Sequence, residues 1–429
     1  MSSFAVYATT YGVRLAALAV GLLTNIVIAR SLGPAGRGDV SAFIAAVSVL
    51  VQLTGFGLSS SSVVELGGDP KRARQVGTLL FLASLLVVPV ALAGAFLFDH
   101  FSAVRIEGPT VILAILWPLT QLLGLNLQAA FLGVGNYRWF NGLELTTRLL
   151  CLAAVSAVVA WRTPSTPLIL LALFGAETVV VLAGVVHFAG RWGAGLPEQP
   201  LVRRMAMMGF RASLSLIPAY LIVRGDVVLV RMWRGAAETG LYAIAGQVVT
   251  LIWMIPAAAA QVLFSSIARS TSRAADVARV SAAMVWILGL VCAGALVMGA
   301  PAIRLVFGQS YSGAFPMLAV LLPGALALGV ETTLVQYFNA GGYPLRIVRY
   351  WALALGLNVS LNVLLIPRWG ALGAAASSTA GYVLIAALVA LRFRHETGIG
   401  FRELLRFPRL AAASTVTAVQ AKSVTGAVQ

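Results

Sequence analysis

Long stretches of hydrophobic residues dominate the chain, and short polar segments separate them. A helix that crosses a bilayer needs about 20 mostly apolar residues, and stretches of this length recur from one end of the sequence to the other. None of the connecting segments is long enough to fold as a separate domain outside the membrane. We therefore predict an all-α integral membrane protein with twelve transmembrane helices. Their approximate limits are residues 9–30, 38–60, 76–98, 109–133, 141–161, 167–190, 207–231, 240–264, 280–306, 315–338, 346–366 and 371–393.

The composition supports the same class of protein. Of the 429 residues, 60% are hydrophobic and 10% are charged, whereas soluble domains are about half apolar and about a quarter charged. A soluble core could not cover that much apolar surface. The two cysteines, Cys151 and Cys292, lie inside apolar stretches, so we expect neither a disulfide framework nor a metal cluster. No cofactor is expected either.

The distribution of basic residues orients the bundle. Lysine and arginine outnumber aspartate and glutamate by 30 to 14, and most of the basic residues fall on alternate connections and on the C-terminal segment. Because basic loops stay in the cytoplasm, we predict that both termini are cytoplasmic. The N-terminus lacks basic residues before its apolar stretch, which indicates a retained first span and not a cleaved signal. No basic patch with interleaved aromatics stands apart from a span, so nucleic acid is not an expected partner.

A polar tail follows the last span, over residues 394–429. Within it, TGIGFRELLRFPRL (397–410) sets Phe401, Leu404 and Leu405 against charged neighbours. This pattern predicts a short interfacial helix on the cytoplasmic leaflet, and a fully solvated tail is the alternative.

The end of the first span and the end of the seventh span are alike in sequence. NIVIARSLGPAGRGDVSAF (25–43) and DVVLVRMWRGAAETGLYAI (226–244) share their spacing of polar residues and glycines, apart from one inserted residue. The matched positions are Asn25 with Asp226, Arg30 with Arg231, Gly33 with Gly235 and Gly38 with Gly240.

A second pair of similar segments follows in the same order, FLGVGNYRWF (131–140) and FNAGGYPLRI (338–347). Both lie between the fourth and fifth spans of their half. We therefore predict two six-helix lobes, residues 1–198 with spans one to six and residues 199–393 with spans seven to twelve. Since both lobes start on the same side, the repeat is parallel, about an axis along the membrane normal.

Charged residues inside spans are functional candidates, because a charge at bilayer depth costs a few kcal/mol. They are Arg14, Glu144, Arg148, Glu177, Arg224, Asp226 and Glu331. Glu144 and Arg148 have the spacing of a helical ion pair, so they neutralise each other or act at a cavity mouth. Arg14 shares a helix face with Asn25 and faces either a cavity or the cytoplasmic headgroups.

Arg224 and Asp226 lie two residues apart, so a helix directs them to different neighbours and a mutual ion pair is not expected. Asp226 is predicted to face a cavity or a partner helix at the lobe interface. Arg224 reaches either the outer headgroups or a substrate. Glu177 and Glu331 have no basic residue one helical turn away, so each either serves proton coupling or is a neutral carboxyl bonded to a neighbouring helix.

Several of these segments resemble one known family. IARSLGPAGRGDVSAF after span one, GLSSSSVVELGGDPKRARQVGTLL (57–80) after span two, RGDVVLVRMWRGAAETGLYAIA in span seven and the tail TGIGFRELLRFPR are similar to the polysaccharide-transport branch of the multidrug/oligosaccharidyl-lipid/polysaccharide flippase superfamily. The resemblance implies a two-lobed bundle of twelve helices around a central cavity. It also implies a flippase that moves undecaprenyl-pyrophosphate-linked oligosaccharides across the bacterial inner membrane by alternating access, for polysaccharide such as lipopolysaccharide.

Two related functions stay open, a multidrug/cation antiporter of the same fold and a lipid II flippase. An antiporter for organic cations should line its cavity with acids and aromatics and not with unpaired arginines. Lipid II flippases are often described with two more helices than this sequence shows. An enzyme is not expected, because the outer loops are short and offer no paired carboxylates for catalysis.

For a flippase, the arginines inside the spans suit a pyrophosphate, since a guanidinium binds phosphate oxygens in pairs. The candidate substrate-binding residues are Arg14, Asn25, Arg148, Arg211, Arg224 and Asp226. The candidate residues for coupling or charge relay are Glu144, Glu177 and Glu331. The expected partners are the lipid-linked oligosaccharide and membrane lipids, with a polysaccharide polymerase and glycosyltransferases as further partners.

Overall fold

The computed structural model describes residues 3–101, 109–267, 273–340 and 345–406. Across these ranges the chain is helical throughout, with short turns between the helices and no β-strand, as the sequence predicts. The helices are α1 (Ser3–Thr54), α2 (Leu58–Gly68), α3 (Ala73–Leu85), α4 (Val87–Phe101), α5 (Pro109–Gly133), α6 (Tyr137–Trp161), α7 (Thr166–Trp192), α8 (Gln199–Arg234), α9 (Ala236–Ile267), α10 (Arg273–Phe307), α11 (Ala314–Leu334), α12 (Gln336–Asn339), α13 (Leu345–Trp369), α14 (Ala371–Thr397) and α15 (Phe401–Leu404).

Eleven helical segments of the described chain are long and apolar enough to cross a membrane. The first, Thr9–Thr54, has 46 residues, about twice the length that a bilayer requires. It is interrupted at Gly33, whose φ of 66° and ψ of −175° lie outside the helical region. Its two arms coincide with the first two spans predicted from sequence. The number twelve counts these arms separately, and it stays a prediction.

The interruption in α1 is a sharp turn and not the polar connection that the hydropathy pattern suggests. Gly33 has a positive φ, which glycine tolerates without a steric penalty. Pro34 follows and starts the second arm, where its missing N–H costs nothing and its fixed φ is already helical. The chain therefore re-enters a helix at once, and the residues after Pro34 belong to a packed helix.

Four clusters of buried hydrophobic residues hold the bundle together, and α8 connects clusters from the two ends of the chain. Leu201 and Met205, in its first turns, pack with Leu66 and Phe131. Ile222, further along, packs in a cluster built mainly from residues after 250. The boundary predicted between residues 198 and 199 stays a prediction, and α8 packs against both halves of the sequence.

The glycines matched between the two halves adopt the same backbone conformation. Gly235 has φ 84° and ψ −179°, close to the angles of Gly33. The next matched pair makes a reciprocal contact. A Cβ on Gly38 would collide with the carbonyl oxygen of Ala236, and a Cβ on Gly240 would collide with that of Pro34. Two segments related by a local two-fold axis make each contact twice in this reciprocal way.

The close approach of α1 and α9 leads us to expect that a larger residue at position 38 destabilises the fold. Gly38→Ala should lower the free energy of unfolding by about 1–3 kcal/mol, because the added methyl group must push two backbones apart. Gly142→Ala is the matched control, since Gly142 lies in α6 with no atom within 4 Å of the added Cβ. Thermal unfolding of the purified variants in detergent measures both. Equal melting temperatures for the two variants would contradict the contact.

The beginning of the C-terminal tail docks on the end of the bundle. Leu404 of α15 is 5% exposed, and the indole nitrogen of Trp286 donates to the carbonyl oxygen of Leu405 at 3.1 Å. The guanidinium of Arg394 lies 5.3 Å from the centre of the Phe401 ring. Residues 401–405 are therefore not a freely solvated tail. The predicted contact with the membrane surface stays a prediction, and residues 407–429 lie outside the described part.

Candidate functional site

A cavity of about 450 Å³ lies between helices from both halves of the sequence. Both arms of α1 contribute to its wall, together with residues of α6, α8 and α9. Four residues predicted as site residues line it, namely Asn25, Glu144, Arg148 and Arg224. The predicted central cavity is therefore present, and it collects a polar set from segments far apart in sequence.

Three arginines line the cavity, and they differ in burial. Arg148 and Arg224 are exposed to the cavity, and neither takes part in an ion pair among the described residues. Arg37 is only 6% exposed. Its Nη2 donates to Oε1 of Gln247 at 3.4 Å, while its Nε has no hydrogen-bond partner in the described structure. A buried donor without a partner is costly, and an anion in the cavity would satisfy it.

Arg37 is the cavity residue that the sequence analysis missed. The hydropathy pattern assigns it to an outer connection between spans one and two. In the structure it lies on the first turn of the second arm of α1, three residues after Pro34. The Gly-Pro pair at 33–34 is the signal that could have located it, because proline begins helices as readily as it ends them.

The cavity contains fewer acids than bases. Glu144 is the single carboxylate among its lining residues. Of the two roles left open for Glu144 and Arg148, the mutual ion pair does not form, since no ion pair of the described structure joins them. Arg148 instead extends toward α1, where its Cδ lies 3.9 Å from the position of a Cβ on Gly21. Both charges therefore face the cavity.

Neutral hydrogen-bonding groups complete the wall. Asn25, Gln121 and Gln247 supply amides, and Ser48 and Thr250 are hydroxyl-bearing residues of the same wall. Oε1 of Gln121 is buried and has no partner in the described structure. Amides and hydroxyls both donate and accept hydrogen bonds, as sugar hydroxyls do. The wall thus combines cationic groups with groups suited to a carbohydrate.

Asp226 lies behind this wall and does not line the cavity. It is 2% exposed, and its Oδ2 accepts hydrogen bonds from the hydroxyl of Tyr242 and, at 2.7 Å, from that of Ser378. It therefore faces partner helices, α9 and α14, and these belong to its own half of the sequence and not to a lobe interface. Its Oδ1 has no partner in the described structure.

An amide chain continues from Ser378. Asn358 donates to the hydroxyl of Ser378 at 3.4 Å, and Asn362 donates to Oδ1 of Asn358 at 3.0 Å. Oδ1 of Asn362 is buried and unpartnered in the described structure, as Oδ1 of Asp226 is. Among the described residues no group of three or more histidine, cysteine, aspartate or glutamate side chains could hold a metal ion. If the Asp226 carboxyl were protonated, its O–H group would add a hydrogen-bond donor to this cluster, in which two acceptor oxygens have no partner.

The other predicted site residues lie outside the cavity. Arg211 is exposed on α8. Glu177 accepts a hydrogen bond from the indole nitrogen of Trp117 at 2.7 Å, which agrees with a carboxyl bonded to a neighbouring helix. Glu331 is 2% exposed, and its Oε1 has no partner in the described structure.

Arg14 marks a contact across one end of the cavity. Its Nη1 lies 3.5 Å from Oε1 of Gln261, and the hydroxyl of Tyr11 donates to the same oxygen at 2.9 Å. These contacts join the start of α1 to α9 at the end of the bundle predicted to be cytoplasmic. The same end also holds a close backbone approach of α2 and α8 at Gly57 and Gly209, and an ion pair of 2.8 Å joins the same two helices.

The opposite end of the cavity is also joined across the two halves. Asp39 and Arg231 form an ion pair of 2.7 Å, next to the reciprocal glycine contact between α1 and α9. Arg30, which matches Arg231 in the other half, donates to the carbonyl oxygen of Val306 at 2.9 Å. Contacts between the two halves of the sequence therefore bridge both ends of the cavity.

Comparison with known proteins gives matches in sequence and in fold. The family model described as "Polysaccharide biosynthesis protein" matches residues 7–271. The probable flippase AglR of Haloferax volcanii is 29% identical over 161 residues. That match covers 35% of this chain, and the chain spans about a third (33%) of the length of that relative.

Solved structures share the fold at low sequence identity. The lipid II flippase MurJ in an inward closed conformation matches with a TM-score of 0.73 at 13% identity, over 92% of this chain and 89% of the other. An inward-facing multidrug resistance MATE family transporter of the MOP superfamily matches with a TM-score of 0.68 at 14% identity, over 88% of this chain and 94% of the other. These likenesses establish the fold, that of the multidrug/oligosaccharidyl-lipid/polysaccharide transporters.

Proposed function

Because the chain belongs to the polysaccharide biosynthesis protein family, we propose that it is a flippase for a lipid-linked oligosaccharide. Its substrate is an oligosaccharide carried on a polyprenyl pyrophosphate, with undecaprenyl as the expected lipid. The protein resides in the bacterial inner membrane with both termini in the cytoplasm, and its product feeds polysaccharide biosynthesis. The relative AglR is named a probable flippase, which supports the same class of activity.

One observation supports this proposal above the others, the cavity that Arg37, Arg148 and Arg224 line against a single carboxylate. The bilayer opposes passage of a pyrophosphate, so a flippase must offer it fixed positive charge. Guanidinium groups bind phosphate oxygens through two parallel hydrogen bonds. The amides and hydroxyls of the wall suit the first sugars, and the polyprenyl chain stays in the surrounding lipid.

Contacts that bridge the two halves at both ends of the cavity support alternating access. The ion pair of Asp39 with Arg231 lies at one end, and the bond of Tyr11 to Gln261 and the close approach of α2 and α8 lie at the other. Opening the predicted cytoplasmic end admits substrate from that side. Separation of the outer end, after the cytoplasmic end closes, then releases the substrate to the other side.

The sign of the cavity charge argues against the antiporter alternative. A transporter of organic cations requires acidic or aromatic groups at its binding site, and Glu144 alone is outnumbered by the arginines. The proposal assigns transport and no catalytic step to this chain. Polymerases and glycosyltransferases of the same polysaccharide are its proposed partners, because they consume the product and make the substrate.

A transport assay tests the proposal. The purified protein is reconstituted in proteoliposomes, and movement of a fluorescent polyprenyl-pyrophosphate oligosaccharide between leaflets is followed beside uptake of a fluorescent organic cation. The flippase proposal expects the first activity and not the second. Transport of the cation alone would replace the flippase by an antiporter, and a protein active on neither would refute both.

Opening of the predicted cytoplasmic end can be measured with a native cysteine. Cys151 lines the cavity, whereas Cys292 is buried. Gln261→Ala removes the acceptor that holds Tyr11 and Arg14. Since such exposed hydrogen bonds contribute about 1 kcal/mol, the labelling of Cys151 by an impermeant maleimide should accelerate about fivefold.

The labelling is measured in a Cys292→Ala background, with reagent added to either side of oriented membranes. The acceleration should occur from the cytoplasmic side alone. An equal acceleration from the outer side, or none at all, would contradict the role of Gln261 in closing that end.

A further inference from the structure

A second cavity, of about 420 Å³, lies at the end of the bundle where α12 and α14 end and α13 begins. It shares no described residue with the substrate cavity. Three arginines line it, Arg346 and Arg349 from α13 and Arg392 from α14, together with the carboxylate of Glu396. Nothing in the proposed transport cycle uses this pocket.

The pocket carries an unbalanced positive charge. Glu396 forms an ion pair with Arg392 at 2.5 Å, which leaves Arg346 and Arg349 without an ion pair among the described residues. These two arginines are three residues apart, so they share a helix face and repel each other. Arg346 also lies in the first turn of α13, where the helix dipole adds positive charge. An anion bound between them would relieve both effects.

The rest of the wall is apolar, and it includes Phe338 and Ile347. A ligand with a charged phosphate and an attached hydrocarbon chain satisfies both parts of the pocket, whereas a free anion satisfies only one. The distribution of basic residues predicts that this end of the bundle is cytoplasmic. Arginine-lined pockets between membrane helices on that side are suited to anionic headgroups.

We propose that the pocket formed by Arg346, Arg349 and Arg392 binds the phosphate headgroup of a lipid in the cytoplasmic leaflet. Two lipids carry this chemistry, an anionic phospholipid and a polyprenyl pyrophosphate before it enters the substrate cavity. The site is separate from the transport cavity, so its test measures binding and does not depend on whether the protein flips a substrate.

Native mass spectrometry of the full-length protein, released from phosphatidylcholine nanodiscs, counts bound lipids directly. Phosphatidylglycerol is titrated in one arm, undecaprenyl pyrophosphate in a second and inorganic phosphate in a third. Because each arginine near a membrane surface contributes about fivefold in affinity for anionic lipid, the Arg346→Ala/Arg349→Ala double variant should bind about thirtyfold more weakly. Arg138→Ala is the matched control, because Arg138 is an exposed arginine and, like Arg346, the second residue of its helix.

Glu396→Gln gives a test of opposite sign. It removes the carboxylate that neutralises Arg392, so lipid binding should tighten severalfold, which a purely structural role of the ion pair does not predict. Tighter binding of either lipid supports the proposal and identifies which of the two lipids the pocket binds. Three results would overturn it, namely binding of inorganic phosphate as strong as that of lipid, equal losses in the double variant and in Arg138→Ala, or weaker binding by Glu396→Gln.

Discussion

Replacing Arg37 with methionine is expected to lower transport about 100-fold and, at the same time, to raise the thermal stability of the empty protein. Arg37 is 6% exposed, and its Nε has no partner in the described structure. The folded protein therefore retains a desolvated charge that no neighbouring acid offsets. An apolar side chain of similar length should be more stable there by about 1–3 kcal/mol.

The loss of transport follows from the same environment. Because the guanidinium of Arg37 is shielded from water, its interaction with a phosphate is screened less than that of an exposed arginine. A charge-assisted hydrogen bond contributes about 1.5–3 kcal/mol, so transport should fall about 100-fold. Arg148→Ala and Arg224→Ala should cost about tenfold each, since both face the open cavity and are hydrated there.

Arg211→Met is the matched control for this experiment. Arg211 lies on α8 like Arg224, but it is exposed outside the cavity, so its replacement should change neither transport nor the melting temperature. Arg37→Lys separates charge from geometry, because it keeps the cation and loses the planar fork. A stability loss in Arg37→Met would make Arg37 a structural residue, and unchanged transport would remove it from the site.

Hydropathy predicted where along the chain the helices lie, but not the direction in which their side chains point. The predicted limits of the last span, 371–393, agree closely with α14 at Ala371–Thr397. Depth alone cannot separate Arg224, which lines the cavity, from Asp226, which faces α9 and α14. That distinction depends on the rotation of α8, which the packing of other helices determines.

The repeat located one contact that hydropathy missed. Matching Gly33 with Gly235 and Gly38 with Gly240 pairs positions that share a backbone conformation and then touch each other across the bundle. The same turn at Gly33 explains the error for Arg37. A glycine followed by proline indicates a break in a helix, and sequence alone does not reveal whether a loop or a second helix follows.

The ion pair between Glu144 and Arg148, one of the two roles that their spacing left open, does not form for a different reason. The spacing permits it, but an exposed pair of this kind contributes only about 0.3–0.5 kcal/mol. Contact of the arginine stem with α1 near Gly21 is enough to compete with it. The spacing of two charged residues by one helical turn therefore does not predict an ion pair where the arginine can instead reach another helix across a cavity.

We propose that a proton or sodium gradient drives transport and that the buried carboxyl of Asp226 couples the two, so Asp226→Asn is expected to remove the dependence of transport on the gradient while preserving the fold. The amide has the shape of the carboxyl, and its oxygen still accepts the hydrogen bonds of Tyr242 and Ser378. What it loses is the charge, and with it the ability to gain and release a proton or to hold a small cation. The melting temperature should therefore stay close to that of the parent, and imposed proton or sodium gradients should no longer change the transport rate.

The contacts of Asp226 give this carboxyl a route to the cavity that Glu331 lacks. Tyr242 donates to Asp226 and lines the cavity itself, so a ligand that moves the Tyr242 hydroxyl also changes what Asp226 accepts. Tyr242→Phe should consequently weaken the response to the gradient while retaining transport. Glu331→Gln is the comparison, because Glu331 is equally buried but is not among the described residues that line the cavity. If Glu331→Gln abolishes the gradient response and Asp226→Asn preserves it, coupling passes through α11 and the route through Tyr242 is wrong.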